Sequence, residues 1–302
     1  MKYDIPILII AFNRPDVSMQ TFEAIRRLKP SNLYVAIDGA RENVKGEEDI
    51  VKQVLSVYKR IDWPCNANYH CNEKNEGAEI TVSRAISWVL SFHEYCVILE
   101  DDVLATQAFF DFALQMLMKY KDTKQVYQIS AAQFTPMESM QTDYVFSLYG
   151  HTGFGWATWR RAWDFFSMDL HDFDKTIADK EIKFSFSCPQ AYKSFLYSIK
   201  RMKARGSKNC SWDQCWSYVR LRDRGLSIVP RCNLTQNIGV WGLHAHGESD
   251  YHHFMPSEGF QAVIHPNKIE IDFNYDRYHF QNYLHHSITS KVFATIRSFF
   301  NK

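Results

Sequence analysis

The chain reads as an α/β protein built on a central, mostly parallel sheet flanked by helices. Three observations predict this. Short unbroken apolar runs recur at 5–12, 33–37 and 96–99, and runs of that length suit strands buried on both faces of a parallel sheet. Between them lie stretches with apolar residues three and four apart, which is helical spacing. The resulting alternation of strand and helix implies right-handed crossovers.

The elements follow in order. IPILIIAF (Ile5 to Phe12) is a strand that runs into Asn13-Arg14-Pro15-Asp16. Pro15 suits the first turn of a helix reaching about Lys29, with Phe22, Ile25 and Leu28 on one face. LYVAI (Leu33 to Ile37) is a second strand, stopped by the turn pair Asp38-Gly39. A helix from Glu47 to about Arg60 buries Ile50, Val54 and Val57, Asn66 to Cys71 forms a further short strand, and Asn75-Glu76-Gly77 leads into a helix from Ala78 to Phe92. CVILEDDV (Cys96 to Val103) then carries four apolar residues straight into Glu100, Asp101 and Asp102.

That last strand organises the rest. In open α/β sheets, ligands bind at the C-terminal edge of the strands, where these acids emerge. Three like charges at the end of a buried strand repel one another and resist desolvation. A divalent cation would resolve that cost. Carboxylate oxygens suit Mg2+ or Mn2+, and such ions bridge to phosphates. The plainer alternative is a solvated loop beside the positive N-terminus of the helix that starts near Thr106. Asn13, Arg14 and Asp38 also stand just past strands, so they gather at the same edge. Arg14 suits a phosphate or a base, and Asp38 a ribose or base donor.

The second half is less regular. Thr106 to Lys121 has a core face of Phe109, Phe112, Ala113, Met116 and Leu117, and Val126 to Ser130 reads as a strand. In GHTGFGWATWRRAW (Gly150 to Trp163), Gly153 and Gly155 allow unusual backbone angles or close approach to a ligand beside Trp156 and Trp159; the plainer alternative is a loop leading into an amphipathic helix, with the tryptophans as core. Pro189 to Arg205 is a basic helix, and Ser211 to Arg224 a helix with Asp213 in its first turn between Trp212 and Trp216. Asp213 is either a dipole partner or a carboxylate in a semi-apolar pocket, poised as a base. Leu226 to Pro230 is a strand, and Val240 to Gly247 a loop carrying His244 and His246.

Composition excludes several classes. At 302 residues, 46% hydrophobic and 23% charged, the chain is globular. A net charge of +1 gives no reason to expect nucleic acid. Seven cysteines without a CxxC read as reduced thiols with no zinc site. The absence of a leader-like start and of an 18-residue apolar run predicts a cytoplasmic protein. Neither GxGxxG nor GxxxxGK[ST] occurs, which argues against dinucleotide and P-loop sites. The C-terminal stretch SKVFATIRSFFNK, 290–302, places Val292, Phe293, Ile296, Phe299 and Phe300 on one face with three basic residues. It predicts either a helix docked on the core or reversible peripheral contact with an anionic membrane.

The motifs IPILIIAFNR, AIDG, SRAISW, LEDDV, GFGW, SWDQCW and AHG occur in that order. Together they resemble the GT-A glycosyltransferases, which have a Rossmann-like nucleotide-diphospho-sugar transferase fold. The likeness is greatest to N-acetylglucosaminyltransferase I and its bacterial relatives. The resemblance implies a donor half at 1–105, an acceptor half of the same domain at 106–250 and an extension at 251–302. It implies donor contacts at Ala11, Asn13, Arg14, Asp38, Arg84, Glu100 and Asp101, and acceptor contacts at Gly155, Trp156 and Trp212. A metal ligand at Asp102 and a catalytic base at Asp213 follow in the same way, and of the loop pair His244 and His246 the further metal candidate is His246, with His244 as the alternative. The implied activity is inverting transfer from a nucleotide sugar, with UDP favoured by the likeness alone, to a glycan or lipid-linked acceptor, with Mn2+ or Mg2+. Gln214 stands where the family often has a second acid, and Ala85 where it can have a polar contact. The alternative is a non-catalytic nucleotide-sugar or carbohydrate-binding protein of the same fold.

Overall fold

The computed structural model describes residues 3–206, 210–240 and 253–284. His244, His246 and the 290–302 segment lie outside the described residues. Eight strands form one sheet in the order β3-β2-β1-β4-β8-β6-β9-β7. They are β1 (Ile7–Ala11), β2 (Asn32–Ile37), β3 (Asn66–Cys71), β4 (Tyr95–Glu100), β6 (Val126–Ser130), β7 (Tyr144–Ser147), β8 (Trp156–Trp159) and β9 (Leu226–Pro230). Neighbours from β3 to β4 pair in parallel, and so do β6 and β9. Only β8 and β7 run against the rest. A separate ribbon joins β5 (Val103–Ala105) to β10 (Thr235–Asn237) in antiparallel fashion.

Strand alternation decides which helix covers which face. Ile7, Ile9 and Ala11 share one core with Phe22 and Ile25 of α1 (Pro15–Leu28), Val54 and Val57 of α2 (Glu47–Tyr58) and Phe109 of α4 (Gln107–Lys119). Leu8 and Ile10 share the other with Val82, Ile86 and Val89 of α3 (Ala78–Phe92) and Trp212 and Trp216 of α8 (Trp212–Arg222). This is the flanked α/β sheet that the apolar runs predict. Between α4 and α8 come α5 (Arg160–Trp163), α6 (Phe173–Ala178) and α7 (Pro189–Arg205), and α9 (Phe273–His279) follows β10. Among the described residues no helix is long and apolar enough to cross a membrane.

The 150–163 stretch differs from its sequence reading. The expected loop and helix contain strand β8, followed by only the single turn of α5. Helical periodicity loses here because both edges of β8 are paired, to β4 and to β6, which satisfies its backbone in the sheet. The chain enters β8 through Gly155 at φ +84. A Cβ there would stand 3.1 Å from Leu99 and 3.2 Å from Thr235 side chains, so the glycine serves a backbone turn in a tight place.

Candidate functional site

The C-terminal ends of β1, β2 and β4 open onto a cleft of about 260 Å3. Ala11, Asn13, Arg14, Asp38 and all three acids line it. The register that pairs Ile10 with Glu100, and the 2.9 Å bond from the Asp101 amide to the Ile10 carbonyl, bring the acids against the end of β1. From the second half of the chain, Asn237 and Gly239 complete the wall.

The three acids are not equivalent. Asp101 is almost fully buried and accepts from the Arg14 guanidinium and, at 3.4 Å, from Ser18 Oγ. Burial pushes its pKa up to about 6, and Arg14 limits the rise. Asp102 Oδ2 accepts from Arg14 Nη1 at 3.0 Å, while Asp102 Oδ1 is buried with no hydrogen-bond partner. Glu100 is half-buried. Burial, with Asp102, Asp101 and Asp213 adding like charge, drives its pKa up to about 8. Burial works against the Arg14 charge, but its two carboxylate partners more than offset this and raise its pKa. Arg14, expected to meet a phosphate, thus spends its donors on the acids.

Gly239 explains how the far segment fits. Its amide donates to Asn237 Oδ1 at 2.9 Å, and the Ile238 amide bonds the Asp102 carbonyl at 2.8 Å. A Cβ on Gly239 would fall 2.1 Å from Asp102 Oδ2, so only glycine fits beside the acid. Sequence reasoning missed this contact, although Asn237-Ile238-Gly239 is a turn signal.

Asp38 lines the cleft, but its carboxylate is already occupied. It accepts from the Gly39, Glu76 and Gly77 amides and from Asn72 and Asn75 side chains, all at 2.9 or 3.0 Å. It therefore holds the 72–77 loop. Asp38→Ala is expected to lower unfolding free energy by roughly 3 kcal/mol, as buried donors lose a charged acceptor. Urea denaturation checks this, and an unchanged midpoint with unchanged slope would assign Asp38 no structural role. Asn13 is likewise tied, donating at 2.8 Å to Glu47, whose pKa Arg41 hydrogen bonds hold down to about 2. Arg84 is exposed, pairs with Glu76 and does not line the cleft.

Asp213 sits in the first turn of α8 and accepts from Ser211 Oγ. It lines a second, larger cavity of about 530 Å3. The expected acceptor contacts Trp156 and Trp212 are corrected by their burial, at 1% and 7% exposed. They stack on each other, with ring centres 6.0 Å apart, inside the cluster that includes Trp163 and Trp216. They build the core behind the cavities and offer no free ring face. Gly155 is buried too, and packing explains it without an acceptor.

Two histidines that no motif announces line the larger cavity. His279 Nδ1 meets Thr135 Oγ1 at 2.8 Å, and the His151 and His279 rings lie 5.4 Å apart. Burial holds their pKa values down, to about 3 for His151 and about 4 for His279. An unfolded chain takes up a proton at His279 below about 6.5 that the fold refuses until about 4. The stability that His279 contributes is therefore lost as pH falls through that window. Nearby Asp276 acts oppositely, because burial raises its pKa to about 7. The difference between wild type and His279→Gln isolates the histidine. It is expected to shift by about 1.4 kcal/mol per pH unit between pH 6.5 and 4.5 in urea titrations, and a constant difference would mean that His279 titrates normally.

A divalent cation fits this site through one protein donor. Among the described residues, no three ligating side chains gather. Asp102 Oδ1 is the orphaned oxygen, and Mn2+ or Mg2+ commonly takes one or two carboxylates and completes its shell with water and phosphate oxygens.

No protein-family model matches the chain, and no curated protein matches it. Among solved structures, a mannosyltransferase from Pyrobaculum calidifontis in complex with GDP-Man and Mn2+ is 13% identical, with a TM-score of 0.38 over 73% of this chain and 70% of that one. A 4-diphosphocytidyl-2C-methyl-D-erythritol synthase from Anaerococcus prevotii is 14% identical, with a TM-score of 0.35 over 58% and 78%. A UDP-glucose pyrophosphorylase complexed with UDP-glucose is 8% identical, with a TM-score of 0.35 over 75% and 90%. Superpositions at that level carry no inference about the chemistry of this chain.

Proposed function

We propose that the protein is a glycosyltransferase that moves a sugar from a nucleotide diphosphate, UDP by motif resemblance, to an acceptor hydroxyl with inversion. The observation that carries this reading is the position of Glu100. It shares the smaller cleft with Asp101 and Asp102, and its charge also couples to Asp213 in the larger cavity. That through-space coupling is what supports reading the smaller cleft and the candidate base as parts of one site.

The residues divide the work. The ends of β1 and β2 hold the nucleotide, with Ala11 and Phe12 as the floor and the Asp38-pinned loop as the wall. Glu100, with its raised pKa, can donate a hydrogen bond to a sugar hydroxyl at neutral pH. Asp213 takes the proton of the acceptor hydroxyl as its oxygen bonds the anomeric carbon. The bond from that carbon to the diphosphate breaks, and the nucleotide leaves with the electron pair. When bound at Asp102, Mn2+ or Mg2+ would supply positive charge for the leaving diphosphate. Arg14, by pairing with both aspartates, keeps Asp101 turned inward and leaves Asp102 Oδ1 to the cleft.

A thermal-shift screen with UDP, GDP, CDP and TDP sugars, with and without Mn2+, tests the reading. Stabilisation by one nucleotide class in Mn2+ is expected, since a ligand of the native state raises its stability by mass action. Absence of any shift would overturn it. Binding with no sugar hydrolysis or transfer to any acceptor would favour the binding-protein alternative.

A further inference from the structure

The larger cavity has a charge and a set of unfilled hydrogen-bonding groups that the transfer chemistry alone does not require. Of its described lining residues, Arg201, Arg205 and Arg220 are cationic and Asp213 is the sole acid. Arg220 is 2% exposed, and its Nη1 bonds the Leu148 and Gly225 carbonyls, leaving Nε buried without a partner. Asp276 is the carboxylate that couples to it, and that acid is itself engaged by Ser147 Oγ and the Leu148 amide. His279 Nε2 and His151 Nε2 are also buried without partners. Three lining residues therefore each carry a nitrogen that nothing in the described chain satisfies, and buried polar groups are ordinarily paired.

Helix α7 adds to this. It carries Lys193, Lys200, Arg201, Lys203 and Arg205 and no acidic residue. Phe195, Ile199 and Met202 on its inner side form an apolar wall of the same cavity. Arg201, at the exposed edge of the cavity, lies over the Tyr197 ring at 5.7 Å. A neutral sugar would satisfy the histidines but bring no negative charge to Arg201 or to the buried Arg220. An anionic group satisfies both, because arginine binds phosphate and carboxylate by charge-assisted hydrogen bonds.

We propose that this cavity receives an acceptor bearing an anionic group, a phosphate or a carboxylate, with its hydroxyl toward Asp213 and its charge toward Arg201 and Arg220. This rests on the transferase reading above. The anion is either part of a soluble sugar or polyol or the headgroup of an anionic lipid, and the chemistry of recognition is the same for both.

Calorimetric titration of the full chain, saturated with UDP and Mn2+, tests the proposal with glucuronate, glycerol phosphate and glucose as probes. Flotation with phosphatidylcholine vesicles, with and without phosphatidylglycerol, forms the second arm. Binding of a soluble anionic probe about tenfold or more tighter than glucose is expected for a soluble acceptor. Binding confined to phosphatidylglycerol vesicles is expected for a lipid acceptor. In either case Arg201→Gln should weaken it about tenfold. Arg201 is exposed, so this variant folds even where Arg220→Gln does not. Glucose binding as tightly as the anions, anion binding abolished by UDP, or indifference to Arg201→Gln would each overturn the proposal. UDP failing to bind, while glucuronate still binds through Arg201, would instead overturn the transferase reading and keep the anion site.

Discussion

Asp213→Asn is expected to bind the nucleotide sugar as the wild type does and to transfer it ~10²–10⁴-fold more slowly, the usual worth of a general base. The amide keeps the shape and can still accept from Ser211 Oγ, but it cannot take the acceptor proton. Donor affinity measured by titration, set against single-turnover transfer, separates the two effects. Because Asp213 is one of the charges that raise Glu100, the variant should also lower the pKa of Glu100. A carboxyl resonance of Glu100 followed by NMR would report this independently of turnover. Wild-type transfer in Asp213→Asn would reduce the acid to a charge at the start of a helix.

The second large effect is expected at Asp102. Asp102→Ala should lose most of the gain in UDP affinity that Mn2+ brings, by about 100-fold, since Asp102 Oδ1 is the one buried carboxylate oxygen left unpaired in the acid triplet. Affinity without metal should change little. Arg14 keeps its pairing with Asp101, so the cleft survives the substitution, and a urea midpoint near that of the wild type confirms folding. Titration of UDP with and without Mn2+ decides the matter. A retained Mn2+-dependent gain would move the metal off Asp102.

The strands at the centre of the sheet were legible because they are apolar on both faces. Strand Val126–Ser130 has the bounds its sequence predicts, and helix Ala78–Phe92 ends about where its sequence predicts. The acids at the end of β4 were legible because a strand end fixes where the next residues emerge. What an individual side chain does there was not legible. Nothing local tells Asp38 that four donors will converge on it from a distant loop, or Arg14 that its partners will be two aspartates far along the chain. Trp156 and Trp212 drew attention as rings beside motifs, but pattern alone cannot say whether a ring faces a cavity or lies behind it. His151 and His279 meet only because Asp276 docks α9 on Ser147 and Leu148, a contact without a sequence signal. Strand β8 was missed because its length and composition suit a helix start, and only its two partners make it a strand.

Those two partners have a consequence for how the protein is made. Strand β4 pairs with β1 on one side and with β8 on the other. During synthesis, Cys96–Leu99 leaves the ribosome well before Trp156–Trp159. In that interval a strand with an apolar centre has one unpaired edge, the kind of edge that recruits other chains. The α4 segment emerges next and can cover a face of the sheet but not its edge. Nascent chains and proteolytic pieces ending before Trp156 are therefore the aggregation-prone species of this protein, and a soluble fragment has to extend past Trp159.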